Sequence, residues 1–213
     1  MTQSSNLMLL ALLWLVYFLI HSALASLIVK QWLANRYPQL TPWYRILFNL
    51  QSTLLLIPPL AMTWVLRSEP LWTWQGICSL LAYALMLLAS LGFAWSLRFY
   101  DGQEFLGFRQ LARRQQQTAD QEQLHISPMH RYVRHPWYSL GLVLVWTQDM
   151  DPARLVSALC ITLYLLLGSR YEERKLMVFH GEVYRAYRQK VPGLIPRPWR
   201  YLSASEVHDL QNR

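Results

Sequence analysis

Five apolar runs, separated by polar stretches rich in arginine, organise this chain. Leu7 to Val29 contains no charged residue, and at a rise of about 1.5 Å per residue it reaches across a hydrocarbon core of about 30 Å. Ile46 to Leu66 is the second run, and Pro58-Pro59 inside it predicts a kink. Leu71 to Leu97 is the third, long enough to cross with a tilt. Trp137 to Thr147 holds only eleven residues, too few to span unaided. Leu155 to Gly168 is also short, but its helix can continue into the polar stretch that follows. Between these two, Asp151-Pro152 reads as an N-cap followed by proline at the first helical position. The last two runs therefore predict a tight helical hairpin that turns near the far membrane face. The fold expected is an all-α polytopic integral membrane protein of about five helices. It forms a single membrane domain over 1–213, with three helices in 1–97 and a connection, hairpin and C-terminal helical segment in 98–213.

Composition supports the membrane reading. Hydrophobic residues make up 54% and charged residues 15% of the 213, more apolar and less charged than an ordinary soluble domain. The net charge of +8 would suggest nucleic acid in a soluble protein. Here the basic residues flank apolar runs, so the bilayer is the partner and nucleic acid is not expected. Lys30, Arg36 and Arg45 follow the first run, six arginines lie from Arg98 to Arg134, and nine basic residues lie from Arg170 onward. The opposite side receives only Arg67 and Arg154. Eighteen against two is a strong positive-inside bias. It predicts an outside N-terminus and a cytoplasmic C-terminus, as in a bacterial inner (cell) membrane. Cys78 and Cys160 sit in apolar runs without metal-ligand spacing and read as small buried hydrophobes. The first run has no basic segment ahead of it, so no cleavable signal peptide is expected.

The polar stretches carry the candidate chemistry. Tyr132-Val133-Arg134-His135-Pro136-Trp137-Tyr138 leads into the fourth run. Pro136 suits a first helical turn, so His135 falls at a helix N-terminus, where free N–H groups and the dipole favour an anion. The plain alternative is an interfacial aromatic anchor with basic flanks. Directly after the fifth run comes Arg170-Tyr171-Glu172-Glu173-Arg174-Lys175. Adjacent glutamates point about 100° apart on a helix, so one can bind an amine or other cation while its neighbour faces solvent. The alternative is a solvated helix end with local ion pairs. Tyr184 and Tyr187 share a helix face and either close a pocket or simply pack. His21, beside Ser22 in the first run, is an intramembrane ionisable group and so a functional candidate, or a hydrogen-bonding partner for a neighbouring helix. Val191-Pro192-Gly193 ends the last helix, and Pro196 and Pro198 keep the chain extended. Nucleotide-fold, P-loop, zincin and serine-hydrolase motifs do not occur.

Taken in order, these elements resemble a family. Arg134-His135-Pro136-x-Tyr138-x-x-Gly141, Glu172-Glu173-x-x-Leu176, Gly181-x-x-Tyr184-x-x-Tyr187 and Val191-Pro192-x-x-Ile195-Pro196 resemble the isoprenylcysteine carboxyl methyltransferase superfamily, which includes phospholipid methyltransferase-like enzymes. His21-Ser22, Tyr44-Arg45 and Asn49 in the front half are similar to methanethiol S-methyltransferases and to NnrU proteins. The paired glutamates and the tyrosine series behind them favour the methyltransferase branch. The resemblance implies S-adenosylmethionine as methyl donor, bound from the cytosol by the C-terminal third. It implies that His135, Pro136, Tyr138, Gly141, Tyr184 and Tyr187 line the cofactor pocket and that Glu172 or Glu173 meets the donor's amino group. It also implies that Arg134 holds the donor carboxylate or the acceptor, with Arg134 and Glu173 as the catalytic pair. The acceptor would be a small molecule or a lipid: a thiol first, a lipid amine or a prenylated-cysteine carboxylate otherwise. The second reading is an NnrU-like haem-binding membrane protein with His21 as axial ligand.

Overall fold

The computed structural model describes residues 2–114, 124 and 126–211. The Gln-rich centre of the predicted connection, 115–123, lies outside the described residues. Among the described residues nine α-helices follow one another: α1 (Gln3–Ala25), α2 (Leu27–Arg36), α3 (Tyr44–Val65), α4 (Ile77–Ser96), α5 (Gly102–Leu106), α6 (Phe108–Ala112), α7 (Pro136–Trp146), α8 (Pro152–Lys190) and α9 (Ala204–Gln211). Among the described residues there is no β-strand, only two isolated bridges. The protein is an all-α polytopic membrane protein.

α1, α3, α4 and α8 are long and apolar enough to cross a bilayer. Only 6 to 22% of their apolar windows are buried within the protein, so hydrocarbon must cover the rest. α7 has eleven residues and rises only about 16 Å, as its short run predicts.

Two boundaries and the burial of one cysteine differ from the reading of the apolar runs. The first run breaks at Ser26, whose backbone is extended. Its hydroxyl donates to the Ala23 carbonyl and accepts from the Val29 amide, ending α1 and capping α2. Leu71 and Trp72 do not join α4, because their amides pair with the Met150 carbonyl at 2.6 and 3.3 Å. Cys78 is exposed rather than buried, on an α4 end where Ile77, Leu80 and Leu81 also face outward. By contrast, Asp151 caps α8 as read, accepting from the Arg154 amide at 2.9 Å, with Pro152 at the first position. α3 runs on through Pro58 and Pro59.

The chain divides into two compact units. The first comprises Met1–Thr73, Tyr100–Asp120 and Asp149–Ile161. Its core is Leu10, Trp14 and Ala153, with Leu56, Met62 and Val156 packed around them. A hydrogen-bond chain ties three helices together: the Trp14 indole donates to Ser157 Oγ at 2.9 Å, Ser157 meets Thr63 Oγ1 at 2.7 Å, and Thr63 donates to the Pro59 carbonyl at 2.7 Å. In a medium without water such a chain satisfies groups that would otherwise be costly. Gly107 turns between α5 and α6 at φ 95°. A Cβ there would lie 2.8 Å from Arg45 Cβ and 2.9 Å from the Ile46 amide nitrogen.

The second unit comprises Trp74–Phe99, Gln121–Gln148 and Thr162–Arg213. α7 packs on α4, where Gly92 leaves room for Leu140 and the Trp137 indole donates to Ser96 Oγ at 2.8 Å. Ile126, Tyr184, Tyr187, Val191, Leu202 and Leu210 form its core beyond the apolar helices. α9 joins this core through Val207 and Leu210. Ser203 and Glu206 cap its start reciprocally, each side chain accepting from the other's amide.

Candidate functional site

Within the second unit, the elements that carry the sequence motifs meet. The end of α8 turns at Gly181, whose φ of 47° and ψ of −119° interrupt the helix at the residue type that tolerates that backbone best. Beyond Lys190 the chain runs back along the start of α7. The Arg134 amide donates to the Pro192 carbonyl at 2.9 Å and the His135 amide to the Gly193 carbonyl at 3.1 Å. The Ser139 hydroxyl lies between the carbonyls of His135 and Leu194. One turn upstream, the Tyr187 hydroxyl donates to the His130 carbonyl at 2.7 Å, the Leu202 amide donates to the Arg131 carbonyl at 2.9 Å, and Arg131 Nε donates to the Leu202 carbonyl at 2.9 Å. Two segments nearly sixty residues apart are thus fastened along their backbones before any side chain is counted.

Glu173 is the hub. Its Oε1 accepts from Arg134 Nε at 2.9 Å and Nη2 at 2.6 Å, and lies 3.2 Å from His135 Nε2. Its Oε2 pairs with Arg188 Nε at 3.2 Å. Arg134 Nη1 donates to the carbonyls of Arg188 and Val191. The expected catalytic pair is therefore fully engaged within the protein, with both side chains about nine-tenths buried.

His135 stands between the two glutamates, with Nδ1 3.3 Å from Glu172 Oε2 and Nε2 facing Glu173. Only the doubly protonated ring donates to both carboxylates. Burial alone pulls its pKa down, but the hydrogen bonds and charges of Glu172 and Glu173 outweigh burial and hold it above the usual histidine value. The ring stacks on Tyr138, with centroids 5.3 Å apart and planes 10° from parallel. Glu172 differs from its neighbour: its side chain is 41% exposed, and among the described residues its carboxylate pairs with His135 alone.

The other expected residues divide. Pro136 opens α7. Gly141 lies in that helix with nothing within 4 Å of the position a Cβ would take. Tyr184 and Tyr187 are core residues packed edge to face at 5.8 Å. The Tyr184 hydroxyl is buried without a hydrogen-bond partner among the described residues, within electrostatic reach of Glu173 and Arg134. His21 lies in the first unit, 3.0 Å from Ser52 Oγ and packed beside Tyr17 and Phe48. Arg188 and the carbonyls of Val191, Pro192 and Gly193 were not singled out from the sequence. The carbonyls carry no residue-type signal, and Arg188 looked like one more flanking base.

No protein-family model and no solved structure matches the chain, but curated proteins do. Methanethiol S-methyltransferase 2 of Bradyrhizobium diazoefficiens is 31% identical over 188 residues, covering 87% of this chain and 71% of its own length. The methanethiol S-methyltransferase of Mycobacterium tuberculosis is 30% identical over 196 residues, covering 87% and 76%. That of Crocosphaera subtropica is 44% identical over 68 residues, covering 32% and 27%.

Proposed function

The chain belongs to the methanethiol S-methyltransferase family and is a membrane methyltransferase; from that premise we propose that it transfers a methyl group from S-adenosylmethionine to a small thiol, at the cytoplasmic face of the cell membrane. The observation that carries this reading is the Glu172–His135–Tyr138 arrangement: a half-exposed carboxylate, a buried imidazolium and an aromatic face in one place.

The residues fit such a donor. Glu172 offers a carboxylate to an ammonium group. The Tyr138 face suits a sulfonium by cation–π attraction. The orphaned Tyr184 hydroxyl can be satisfied by a polar group of a ligand, which removes the cost of leaving it unpaired. Pro136 and Gly141 flank these groups on α7, and Gly141 leaves space that any side chain would fill. When bound, the sulfonium supplies an already activated methyl group.

The chain's own work is positioning. Arg134 and Glu173 anchor the 191–194 segment to α7 and fix His135. His135 in turn holds the Glu172 carboxylate in place by a charge-assisted hydrogen bond. Alignment of nucleophile, methyl and leaving sulfur accounts for much of the rate in a displacement of this kind. Exclusion of water makes a thiolate more reactive, and apolar helices beside the site serve that end. The cytoplasmic orientation rests on the eighteen-to-two distribution of basic residues.

The test is methyl transfer from isotope-labelled donor to a panel of thiols, lipid amines and prenylated-cysteine carboxylates in detergent, read by mass spectrometry. Label in methanethiol or another short thiol is the expected result. Label only in a lipid amine or a carboxylate would overturn the acceptor assignment.

A further inference from the structure

The face of α8 that carries Arg170 and Arg174 has no part in the methyl transfer described above. Ser169 and Arg170 follow the apolar run 155–168. Beyond them lies a cleft of about 440 Å³ lined by Arg170, Glu173, Arg174, Met177, Val178 and Arg188. Arg170 and Arg174 are exposed and, among the described residues, neither pairs with a carboxylate. Glu173, in the cleft's inner wall, is already neutralised by Arg134, His135 and Arg188. The cleft is therefore strongly cationic with an apolar side.

Its register along the helix is informative. At about 100° per residue, positions 163, 167, 170 and 174 fall within about 60° of one another. Leu163 and Leu167, both exposed, thus run up to Arg170 and Arg174 on one stripe, with the exposed Leu166 at its edge. Glu172 points about 160° away from Arg170, so the stripe and the proposed donor contact occupy different faces of α8. A stripe of bare leucines ending in guanidinium groups without a carboxylate partner among the described residues, Arg174 lying over the Tyr171 ring, matches a molecule with acyl chains and a phosphate. We propose that this cleft binds the headgroup of an anionic phospholipid, with Arg170, Arg174 and Arg188 around the phosphate and the leucine stripe along the acyl chains. Basic pockets at the ends of membrane helices suit such headgroups, each basic residue contributing about 1 kcal/mol, or roughly fivefold in affinity.

The test uses the full chain in a non-ionic detergent, with lipid retention measured by native mass spectrometry. Phosphatidylglycerol should bind at least about tenfold more tightly than phosphatidylcholine. R170Q and R174Q should each lower that ratio roughly fivefold, whereas R185Q, whose arginine pairs with Glu182 outside the cleft, should leave it unchanged. S-adenosylhomocysteine affinity should be the same in R170Q/R174Q as in the parent, which also shows that the variant is folded. Four results would each overturn the proposal: equal retention of the two lipids by the parent, an unchanged ratio in R170Q/R174Q, an equal fall in R185Q, or displacement of the lipid by millimolar inorganic phosphate. Loss of S-adenosylhomocysteine binding in R170Q/R174Q, with the melting temperature retained, would assign the cleft to the methyl donor and overturn the lipid site alone.

Discussion

Arg134 meets Glu173 side-on, with Nε and Nη2 both donating to Oε1 at 2.9 and 2.6 Å. The remaining guanidinium nitrogen reaches the carbonyls of Arg188, in the last turn of α8, and Val191, just beyond it. This geometry needs a planar fork, which lysine lacks. Arg134→Lys, whose ammonium cannot make the forked contact and the carbonyl contacts together, and Glu173→Gln, which leaves the buried guanidinium without its carboxylate, should therefore each destabilise the second unit by about 3 kcal/mol. Thermal unfolding in detergent reads this, and a melting temperature within a degree of the parent for either variant would contradict the anchoring role.

Glu172 should behave in the opposite way. Its side chain is 41% exposed, so Glu172→Gln should cost under about 1 kcal/mol of stability. Losing a charge-assisted contact to an ammonium should weaken S-adenosylhomocysteine binding by roughly tenfold or more. Calorimetry on the two glutamate variants side by side separates a ligand contact from a structural one.

His135 gives a pH dependence with a defined sign. Its pKa is raised in the folded protein above the ordinary 6.5. The stabilisation it contributes is therefore fully present below about 6.5 and is lost as pH rises through the higher folded value. The parent should lose melting temperature over that window relative to His135→Gln, which should lie lower at acid pH and converge with the parent in alkali. Parallel curves for the two proteins across that range would be incompatible with an imidazolium held between two carboxylates.

Two glycines make a matched pair. Gly107→Ala puts a Cβ against the backbone of α3 at a positive φ, and should destabilise by more than about 2 kcal/mol. Gly141→Ala meets nothing within 4 Å inside a helix, and should be neutral or stabilising by about 0.5–1 kcal/mol. If Gly141 lines the donor site, that same variant loses S-adenosylhomocysteine affinity while its melting temperature holds or rises.

The spanning helices were legible in the sequence because a bilayer demands long apolar runs, and Asp151-Pro152 was legible because a cap and a proline have local causes. Ser26 was not, since one hydroxyl in an apolar run breaks a helix only when the chain beyond must change direction. Leu71 and Trp72 looked like helix and instead pair with Met150, a partner far along the chain. α9 was missed although Ser203 and Glu206 stand at capping-box spacing. At the candidate site, motif order singled out Arg134, His135, Glu172 and Glu173, which the fold brings into contact. It did not reveal that Arg134, His135 and Arg188 converge on Glu173 while Glu172 stays half-exposed. That difference comes from the direction each carboxylate takes off α8 and from carbonyls that no residue type announces.

The pairing of 134–135 with 192–193 sets an order of events during synthesis. All the long apolar helices and α7 leave the ribosome before Pro192 does, so they can enter the bilayer while Arg134 and Glu173 still lack the strand that locks them. A chain stopped before Val191 would be inserted yet would leave the 134–135 segment without its backbone partners, so the 191–194 segment acts as a latch that closes only after the spanning helices have left the ribosome.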